Sequence, residues 1–310
     1  MLAPITSPIQ VRCPATIANL ICGYDVLGLC VHDPYDVLTL QCTNTGTVTI
    51  TSNHNQVPLE PTSNTAGVAL LAMMQQLPAG IGFAIHIHKN ILPGSGLGSS
   101  AASAAGAVVA ANIALHNMYT PLQLVYFAMQ GEKAASGVAH ADNVAPCIYG
   151  GITLITSNNP LQVVSLPTIP LYISIVHPQV QVRTADARSI LQPTVPLSLA
   201  VTQWGIVAGV VAALYTQDIA LLASCMHDVI IEPQRKILIP YYDAVKQAGL
   251  QAGAIAGGIA GSGPTIYMLS SSLDVATQVT QAMEQVYTPT PITVHSYTTS
   301  IATEGARCIA

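Results

Sequence analysis

Hydrophobic and polar positions divide the first half of the chain into short strands and apolar helices. Residues 37–42 and 46–50 are β-branched runs on either side of a polar turn, a pattern that predicts a β-hairpin. Residues 81–87 alternate apolar and other side chains, as expected of a strand with one buried face. The other elements predicted in this half are helices over about 65–77, 101–115 and 121–136 and a strand over 148–156.

The second half mixes strands and helices without a regular βα alternation, which favours an α+β fold over a doubly wound sheet. A Pro- and Asn-containing stretch, 157–170, indicates a domain boundary. We therefore expect one domain over residues 1–160 and a second over residues 161–310. The elements predicted after the boundary are strands over 171–176, 265–269 and 292–297 and helical segments over 207–214, 241–248 and 274–286.

The composition is unusually apolar. Hydrophobic residues make up 51% of the chain, charged residues 7%, and the mean hydropathy is +0.50, whereas roughly 25% of residues are charged in an average domain. A membrane-spanning helix needs roughly 18 consecutive apolar residues. The best candidate, residues 101–115, is interrupted by Ser103, Gly106 and Asn112. We therefore expect no membrane insertion.

Charge and cysteine content exclude further classes of protein. Nine Lys and Arg against fourteen Asp and Glu give a formal net charge of −5, and no basic cluster is available to displace counterions from nucleic acid. The seven cysteines are odd in number and form no Cys-x-x-Cys pair. Such usage is typical of reduced thiols, so we expect a cytoplasmic protein without a disulfide framework or a zinc ribbon.

The strongest chemical signal is a glycine-rich loop between a predicted strand and a predicted helix. It reads Pro93-Gly94-Ser95-Gly96-Leu97-Gly98-Ser99-Ser100, and its three glycines let the backbone turn tightly and approach a ligand. The free amides and the dipole at a helix start favour an anion such as phosphate. The loop is not a Walker A loop, since no Gly-Lys-Ser/Thr ends it, and the third glycine of a dinucleotide fingerprint falls on a serine.

Followed by Ala101 and Ala102, this loop resembles the ATP-phosphate loop of the GHMP small-molecule kinases. Two more segments resemble GHMP signatures in the expected order, residues 14–28 and the turn at residues 261–265. The resemblance implies ATP as co-substrate and a two-domain GHMP kinase architecture. In that architecture a domain like domain 2 of ribosomal protein S5 precedes a ferredoxin-like C-terminal domain, with the site between them.

Within this superfamily, four segments are similar to those of the homoserine kinases, which phosphorylate the hydroxyl of L-homoserine in threonine biosynthesis. The segments are residues 18–25, 131–146, 184–188 and 232–235. Two departures occur. The family usually has Gly-Pro-Gly-Phe-Asp where this chain has Ile21-Cys22-Gly23-Tyr24-Asp25, and Ala141 replaces the proline of His-Pro-Asp-Asn. The resemblance implies L-homoserine and ATP as ligands.

By this resemblance the glycine loop forms the nucleotide end of the site. Mg²⁺ bridging the β- and γ-phosphates is expected on Ser100 and Glu132, because magnesium takes few protein ligands and several waters. The residues expected to bind ATP are Pro93, Gly94, Ser95, Gly96, Leu97, Gly98, Ser99, Ser100, Ala101, Ala102, Ser103 and Asn64.

The substrate implied by the resemblance is a small zwitterion. Its carboxylate suits the guanidinium groups of Arg188 and Arg235. Lys89 is expected to neutralise phosphate charge. We favour a substrate hydroxyl that is activated by its position beside Asn143 over one that is deprotonated by Asp25 as a general base. The expected catalytic residues are Asp25, Asn143 and Lys89. The expected substrate-binding residues are Asn19, Asp25, His140, Asn143, Thr184, Arg188 and Arg235.

Two other functions stay open at this point. One is a GHMP kinase for another small alcohol such as mevalonate, against which Arg188 and Arg235 argue. The other is a GHMP-fold protein that binds ligand without turnover, against which the intact Glu132 and loop serines argue. The apolar composition is also compatible with a homodimer surface.

Overall fold

The structure, a computed structural model, describes residues 3–137 and 139–309 and contains two β-sheets with helices packed on them. The α+β class is therefore confirmed. The strands are β1 Ile9–Ala18, β2 Leu27–Thr43, β3 Val48–Ser52, β4 Gly82–His88, β5 Ile152–Asn158, β6 Leu161–Leu166, β7 Tyr172–Pro178, β8 Ala256–Ile259, β9 Ile266–Ser270, β10 Val294–Ser300 and β11 Arg307–Cys308. The helices are α1 Thr65–Met74, α2 Ser99–Ala114, α3 Pro121–Ser136, α4 Val144–Tyr149, α5 Thr184–Ser189, α6 Leu197–Thr216, α7 Ile219–Cys225, α8 Glu232–Arg235, α9 Tyr242–Gln251 and α10 Leu273–Tyr287.

The first sheet has the strand order β11-β1-β2-β4-β3, and β5 and β6 extend it beside β2. The predicted hairpin over residues 37–50 is wrong, because β4 lies between β2 and β3 and runs parallel to β3. The local pattern did not distinguish the two arrangements, since strand alternation is the same whichever neighbour pairs with the strand.

Helix α2 forms the buried centre of this part of the molecule. All of its residues except Ser100 and Ile113 are buried, as expected of a helix that is apolar all round. A Cβ atom added to Gly106 would lie 2.2 Å from the sulfur of Cys13 on β1. The alanine-rich composition therefore follows from the close approach of α2 to the sheet.

The second sheet is antiparallel throughout and has the order β10-β7-β9-β8. Helices α5 to α9 connect β7 to β8, and α10 connects β9 to β10. This connectivity is the ferredoxin-like arrangement, as expected. Val245 on α9 and Val279 and Met283 on α10 pack with the sheet residue Met268 in its core.

The region of the predicted domain boundary differs from expectation. Residues 148 and 149 end α4, so the strand predicted from residue 148 begins only at Ile152. The stretch 157–170 contains β6, which pairs with β5. A boundary after residue 160 falls in the turn between these paired strands, and the division into residues 1–160 and 161–310 stays a prediction.

Among the described residues, one helix is long and apolar enough to cross a membrane by length and composition alone, and it is α6 rather than residues 101–115. One side of α6 packs against the rest of the protein. Gln203 donates a hydrogen bond to the carbonyl oxygen of Cys22 at 2.7 Å and accepts one from the backbone nitrogen of Val229 at 3.1 Å. The other side exposes Leu197, Val201 and Trp204 to solvent.

His177 predicts a loss of stability in acid. Its buried side chain on β7 lies opposite His295 of β10, and burial, assisted by His295, lowers the pKa of His177 to about 4. The unfolded chain binds a proton near pH 6.5 and the folded protein only near pH 4, so stability is complete above pH 6.5 and falls as the pH decreases. We expect this residue to remove on the order of 3 kcal/mol from the free energy of unfolding between pH 7 and pH 4.

Urea titrations at several pH values measure this contribution. His177→Gln should flatten the acid limb of the stability profile, whereas His88→Gln, at an exposed position on β4, should leave it unchanged. An equally steep acid limb in both variants would contradict the assignment.

Candidate active site

A cavity of about 510 Å³ brings together residues that lie up to 240 positions apart in the chain. Most of the sequence-predicted site residues line it. These are Asn19, Asp25, Asn64, Lys89, Pro93, Gly94, Gly96, Gly98, Ser99, Ser100, Ser103, Glu132, His140, Asn143, Thr184, Arg188 and Arg235.

Two glycines allow the loop before α2 to approach its neighbours closely. Gly96 has φ 83°, and a Cβ there would lie 2.6 Å from the carbonyl oxygen of Ala260 and 2.7 Å from that of Gly263. Gly98 has φ 65°, and a Cβ there would lie 2.1 Å from Thr16 Oγ1. The start of α2 thus lies at the cavity wall, where its free amides and the helix dipole favour an anion.

The ammonium group of Lys89 is turned into the protein beside the cavity. It forms a buried ion pair with Asp36 and donates to the carbonyl oxygen of Ser99 at 2.7 Å and to Ser103 Oγ at 3.1 Å. Asp36 Oδ1 accepts from the backbone nitrogens of Asn90 and Ile91 at 2.8 and 2.9 Å. The pair therefore fixes the first turn of α2, and the predicted catalytic role of Lys89 stays a prediction.

Glu132 on α3 and Ser100 at the start of α2 are neighbours, and the serine hydroxyl donates a hydrogen bond to the carboxylate. Burial raises the pKa of Glu132 to about 7, with Ser100 and Lys89 acting in the opposite direction. Within the described part of the chain, no three His, Cys, Asp or Glu side chains form a metal site by themselves. A carboxylate and a hydroxyl are hard oxygen donors that fit Mg²⁺ when phosphates and waters complete its shell.

Arg188 and Asp25 form a bidentate ion pair away from the glycine loop. Arg188 Nη2 donates to Asp25 Oδ1 at 2.8 Å and Nη1 to Oδ2 at 3.2 Å. His140 Nδ1 lies 3.5 Å from Asp25 Oδ1. Burial lowers the pKa of His140, although Asp25 acts in the opposite direction. Both ring nitrogens are buried without a hydrogen-bond partner among the described residues, on a side chain that lines the cavity.

Arg235 is the most deeply buried cation among the described residues of the cavity wall, with 3% of its surface exposed against 7% for Lys89. Its Nε donates to the carbonyl oxygen of Ala187 at 2.9 Å and its Nη1 to that of Gly261 at 3.1 Å. Burial lowers the pKa of Arg235, and the nearby charge of Arg188 acts in the same direction. Two guanidinium groups therefore meet at one end of the cavity.

Two asparagines fix the segments between the ends of the cavity. Asn19 Nδ2 donates to the carbonyl oxygen of Gly261 at 2.8 Å, and its Oδ1 accepts from the backbone nitrogen of Asp25 at 3.0 Å. Thr16 Oγ1 donates to Asn143 Oδ1 at 2.8 Å, which leaves the Asn143 amide nitrogen as the group that can donate to a ligand.

Four predicted nucleotide-binding residues do not line the cavity, and all four are buried: Ser95, Leu97, Ala101 and Ala102. Asn64 lines the cavity and also caps α1, because its Oδ1 accepts from the backbone nitrogens of Ala66 and Gly67 at 2.9 and 3.2 Å. The binding roles of these residues stay predictions.

Sequence reasoning missed several cavity residues inside the segments that it singled out, and two of them carry titratable side chains. Tyr24 precedes Asp25, and Asp142 precedes Asn143; both line the cavity. Burial raises the pKa of Asp142 to about 7, and the charges of Asp25 and Glu132 contribute in the same direction. The signal in the sequence that could have identified both residues is that each directly precedes a predicted site residue.

Comparison with known proteins gives two family matches. Residues 64–151 match the GHMP kinases N terminal domain, and residues 210–288 match the GHMP kinases C terminal domain. A homoserine kinase of Chlorobium phaeobacteroides is 40% identical over 95% of this chain and 97% of its own length. A homoserine kinase of Methanococcus maripaludis is 40% identical over 83% of this chain and 86% of its own length.

Solved structures agree with these matches. The crystal structure of a homoserine kinase from Cytophaga hutchinsonii has a TM-score of 0.94 and 42% sequence identity, and the match covers 100% of this chain and 99% of the other. The crystal structure of L. major mevalonate kinase in complex with R-mevalonate has a TM-score of 0.74 at 17% identity over 97% and 99% of the two chains, a likeness of fold alone.

The buried pair of Asp36 and Lys89 predicts a large stability effect. Asp36→Asn leaves the ammonium group buried without a carboxylate, and we expect the free energy of unfolding to fall by about 3–5 kcal/mol in urea titrations. The exposed pair of Lys236 and Asp243 supplies the control, since Asp243→Asn should cost less than about 1 kcal/mol. Losses of similar size in both variants would contradict a structural role for the buried pair.

Proposed function

The chain belongs to the homoserine kinase family of the GHMP kinases, and from that premise we propose how its cavity carries out phosphoryl transfer from ATP to L-homoserine. The reaction gives ADP and O-phospho-L-homoserine, a step of threonine biosynthesis. The observation that carries the assignment is the 40% identity to a homoserine kinase over 95% of the chain.

The glycine loop and the start of α2 are our proposed site for the ATP phosphates. In phosphoryl transfer, the main tasks of the protein are to position two ligands and to stabilise charge on the phosphoryl group that is transferred. Fixed amides at a helix start do both, because they need no reorganisation when charge develops. The contacts of Lys89 with Ser99 and Ser103 hold this turn in place.

Mg²⁺ is our proposed metal, held by Glu132 and Ser100. When bound there, the ion would neutralise charge on the β- and γ-phosphates. The neighbouring carboxylate and hydroxyl support this proposal, since both oxygens line the cavity beside the glycine loop.

The arginine end of the cavity is our proposed site for the amino acid. A carboxylate fits the donors of Arg188 and Arg235, while the ammonium group fits Asp25 and the one ring nitrogen of neutral His140 that carries no proton. Thr184, whose Oγ1 lies 3.4 Å from Ser262 Oγ, completes this wall. Charge complementarity of this kind orients a zwitterion in one direction only.

The amide of Asn143 is our proposed partner for the reacting hydroxyl. The hydroxyl oxygen attacks the γ-phosphorus, the bond from phosphorus to the β–γ bridging oxygen breaks, and the hydroxyl proton passes to the transferred phosphate. Asp25 is the less suitable base, because both of its carboxylate oxygens already accept hydrogen bonds from Arg188. The hydroxyl is therefore activated by its position and by the electrostatic environment of the site.

We also propose that the protein is cytoplasmic and forms a homodimer through α6. The exposed residues Leu197, Val201, Trp204, Ala208 and Tyr215 recur at spacings of three, four and seven on one side of this helix. This is the spacing at which two helices pack against each other. The other side of α6 packs on the folded protein, where Gln203 hydrogen-bonds to the backbone of Cys22 and Val229. A second copy of the chain is therefore the preferred partner.

ADP release with ATP and Mg²⁺ tests the reaction. We expect turnover with L-homoserine and none with mevalonate, galactose or no acceptor. Glu132→Ala should lower kcat by roughly 10²–10³ through lost charge stabilisation, whereas Glu304→Ala, an exposed residue paired with Arg307, should leave it unchanged. Turnover with another alcohol would overturn the substrate, and ATP binding without any turnover would favour a ligand-binding protein.

Light scattering after size-exclusion chromatography tests the dimer. Trp204→Glu places a charge in the exposed stripe of α6 and should convert the dimer to a monomer, while Gln278→Glu on α10 should leave the dimer intact. A monomeric parent protein would contradict the proposal. Sedimentation of the parent protein with lipid vesicles would indicate a membrane in place of the second copy.

A further inference from the structure

The two guanidinium groups at the arginine end of the cavity share one phenol oxygen. Arg188 Nη1 donates to Tyr24 Oη at 2.9 Å, and Arg235 Nη2 donates to the same atom at 3.4 Å. Both cations also lie against the ring, with Cζ at 5.6 Å from the ring centroid for Arg188 and 4.8 Å for Arg235. Among the residues that the structure describes, Tyr24 is therefore the one side chain that hydrogen-bonds to both arginines.

The two cations need such a contact because they repel each other in a half-buried setting. Arg188 is compensated by Asp25. Arg235 is held by the carbonyl oxygens of Ala187 and Gly261, and within the described ranges no carboxylate lies at ion-pair distance from it. A phenol oxygen has two lone pairs, so it can accept from both guanidinium groups at once.

The hydroxyl group is a departure of this chain from the pattern that it resembles. The corresponding segment of the family usually ends in Phe-Asp, and here it ends in Tyr24-Asp25. Phenylalanine supplies the ring face for the cations but has no oxygen to accept their hydrogen bonds. The bridge between Arg188 and Arg235 therefore depends on an atom that phenylalanine lacks.

We propose that Tyr24 is a positioning residue whose hydroxyl holds Arg188 and Arg235 side by side and thereby sets the affinity for the substrate carboxylate. This inference rests on the proposed function, because it assigns the carboxylate of the amino acid to the two arginines. Arg188 Nε is buried and has no hydrogen-bond partner among the described residues, which leaves a donor for that carboxylate. Preorganised donors bind more tightly than donors that must first be ordered.

The variant Tyr24→Phe removes one oxygen and keeps the ring. We expect the KM for L-homoserine to rise about tenfold, as for a lost hydrogen bond to a charged group, with kcat and the KM for ATP changed less than about twofold. Calorimetric titration with L-2-aminobutyrate, which has the same carboxylate and ammonium but no hydroxyl to phosphorylate, should show the same tenfold loss of affinity without any turnover.

Tyr287→Phe is the matched control. Tyr287 is buried, and its hydroxyl donates to the carbonyl oxygen of Pro240 at 2.9 Å, among residues that do not line the cavity. Its loss should lower stability to a similar extent and leave the KM for L-homoserine unchanged. A purely structural role of Tyr24 would likewise lower stability and leave both the KM and the L-2-aminobutyrate affinity unchanged, and that result would overturn the proposal.

Failure of the proposed function gives a different result. If the parent protein does not phosphorylate L-homoserine, the calorimetric arm still decides whether a carboxylate binds and whether Tyr24→Phe weakens it. Unchanged binding in the variant overturns the role of Tyr24 whatever the reaction is. A fall in kcat, or a rise in the KM for ATP, equal to the change in the KM for L-homoserine would also overturn it.

Discussion

The close approach of bare backbone around the start of α2 is the constraint on which the rest of the site depends. Gly96 lies against the turn at residues 260–263, and Gly98 lies against Thr16 and Asn143. A side chain at either glycine would overlap these neighbours, so the close approach of the loop to β1 and to the turn after β8 requires glycine at both positions. Since Asn19 and Arg235 also bond to Gly261, the same contact fixes the distance between the glycine loop and the arginine end of the cavity.

The charged side chains of the protein are concentrated around the cavity beside this loop. The chain has only 23 formally charged side chains, and six of them line one cavity: Asp25, Lys89, Glu132, Asp142, Arg188 and Arg235. A buried charge is costly unless it is paired or hydrogen-bonded. Each of the three cations meets this requirement differently, through Asp36 for Lys89, Asp25 for Arg188, and carbonyl oxygens with Tyr24 for Arg235.

The local parts of this arrangement could be predicted from the sequence, and the long-range parts could not. The glycine loop and the two arginines could be identified because each lies in a short sequence motif. The α+β class could be predicted from the mixture of strands and helices. The position of β4 between β2 and β3 could not be predicted locally, because the alternation of residues in a strand does not indicate which strand pairs with it. The inward turn of Lys89 depends on Asp36, 53 residues away, and the bridge at Tyr24 depends on two arginines more than 160 residues away.

Charges of both signs line the arginine end of the cavity. Guanidinium groups stand at the Tyr24 end. The carboxylates of Asp25 and Asp142 lie near one another, and burial together with the charges of Asp25 and Glu132 raises the pKa of Asp142 to about 7. A zwitterion entering this field lowers the energy of both groups only if its carboxylate faces Arg188 and Arg235 and its ammonium faces the acids. In the proposed binding mode, its remaining functional group, the hydroxyl, is then directed away from the arginines, towards Asn143 and the glycine loop. On the proposed assignment, the fixed charges select the orientation of the amino acid before any contact with the nucleotide is made.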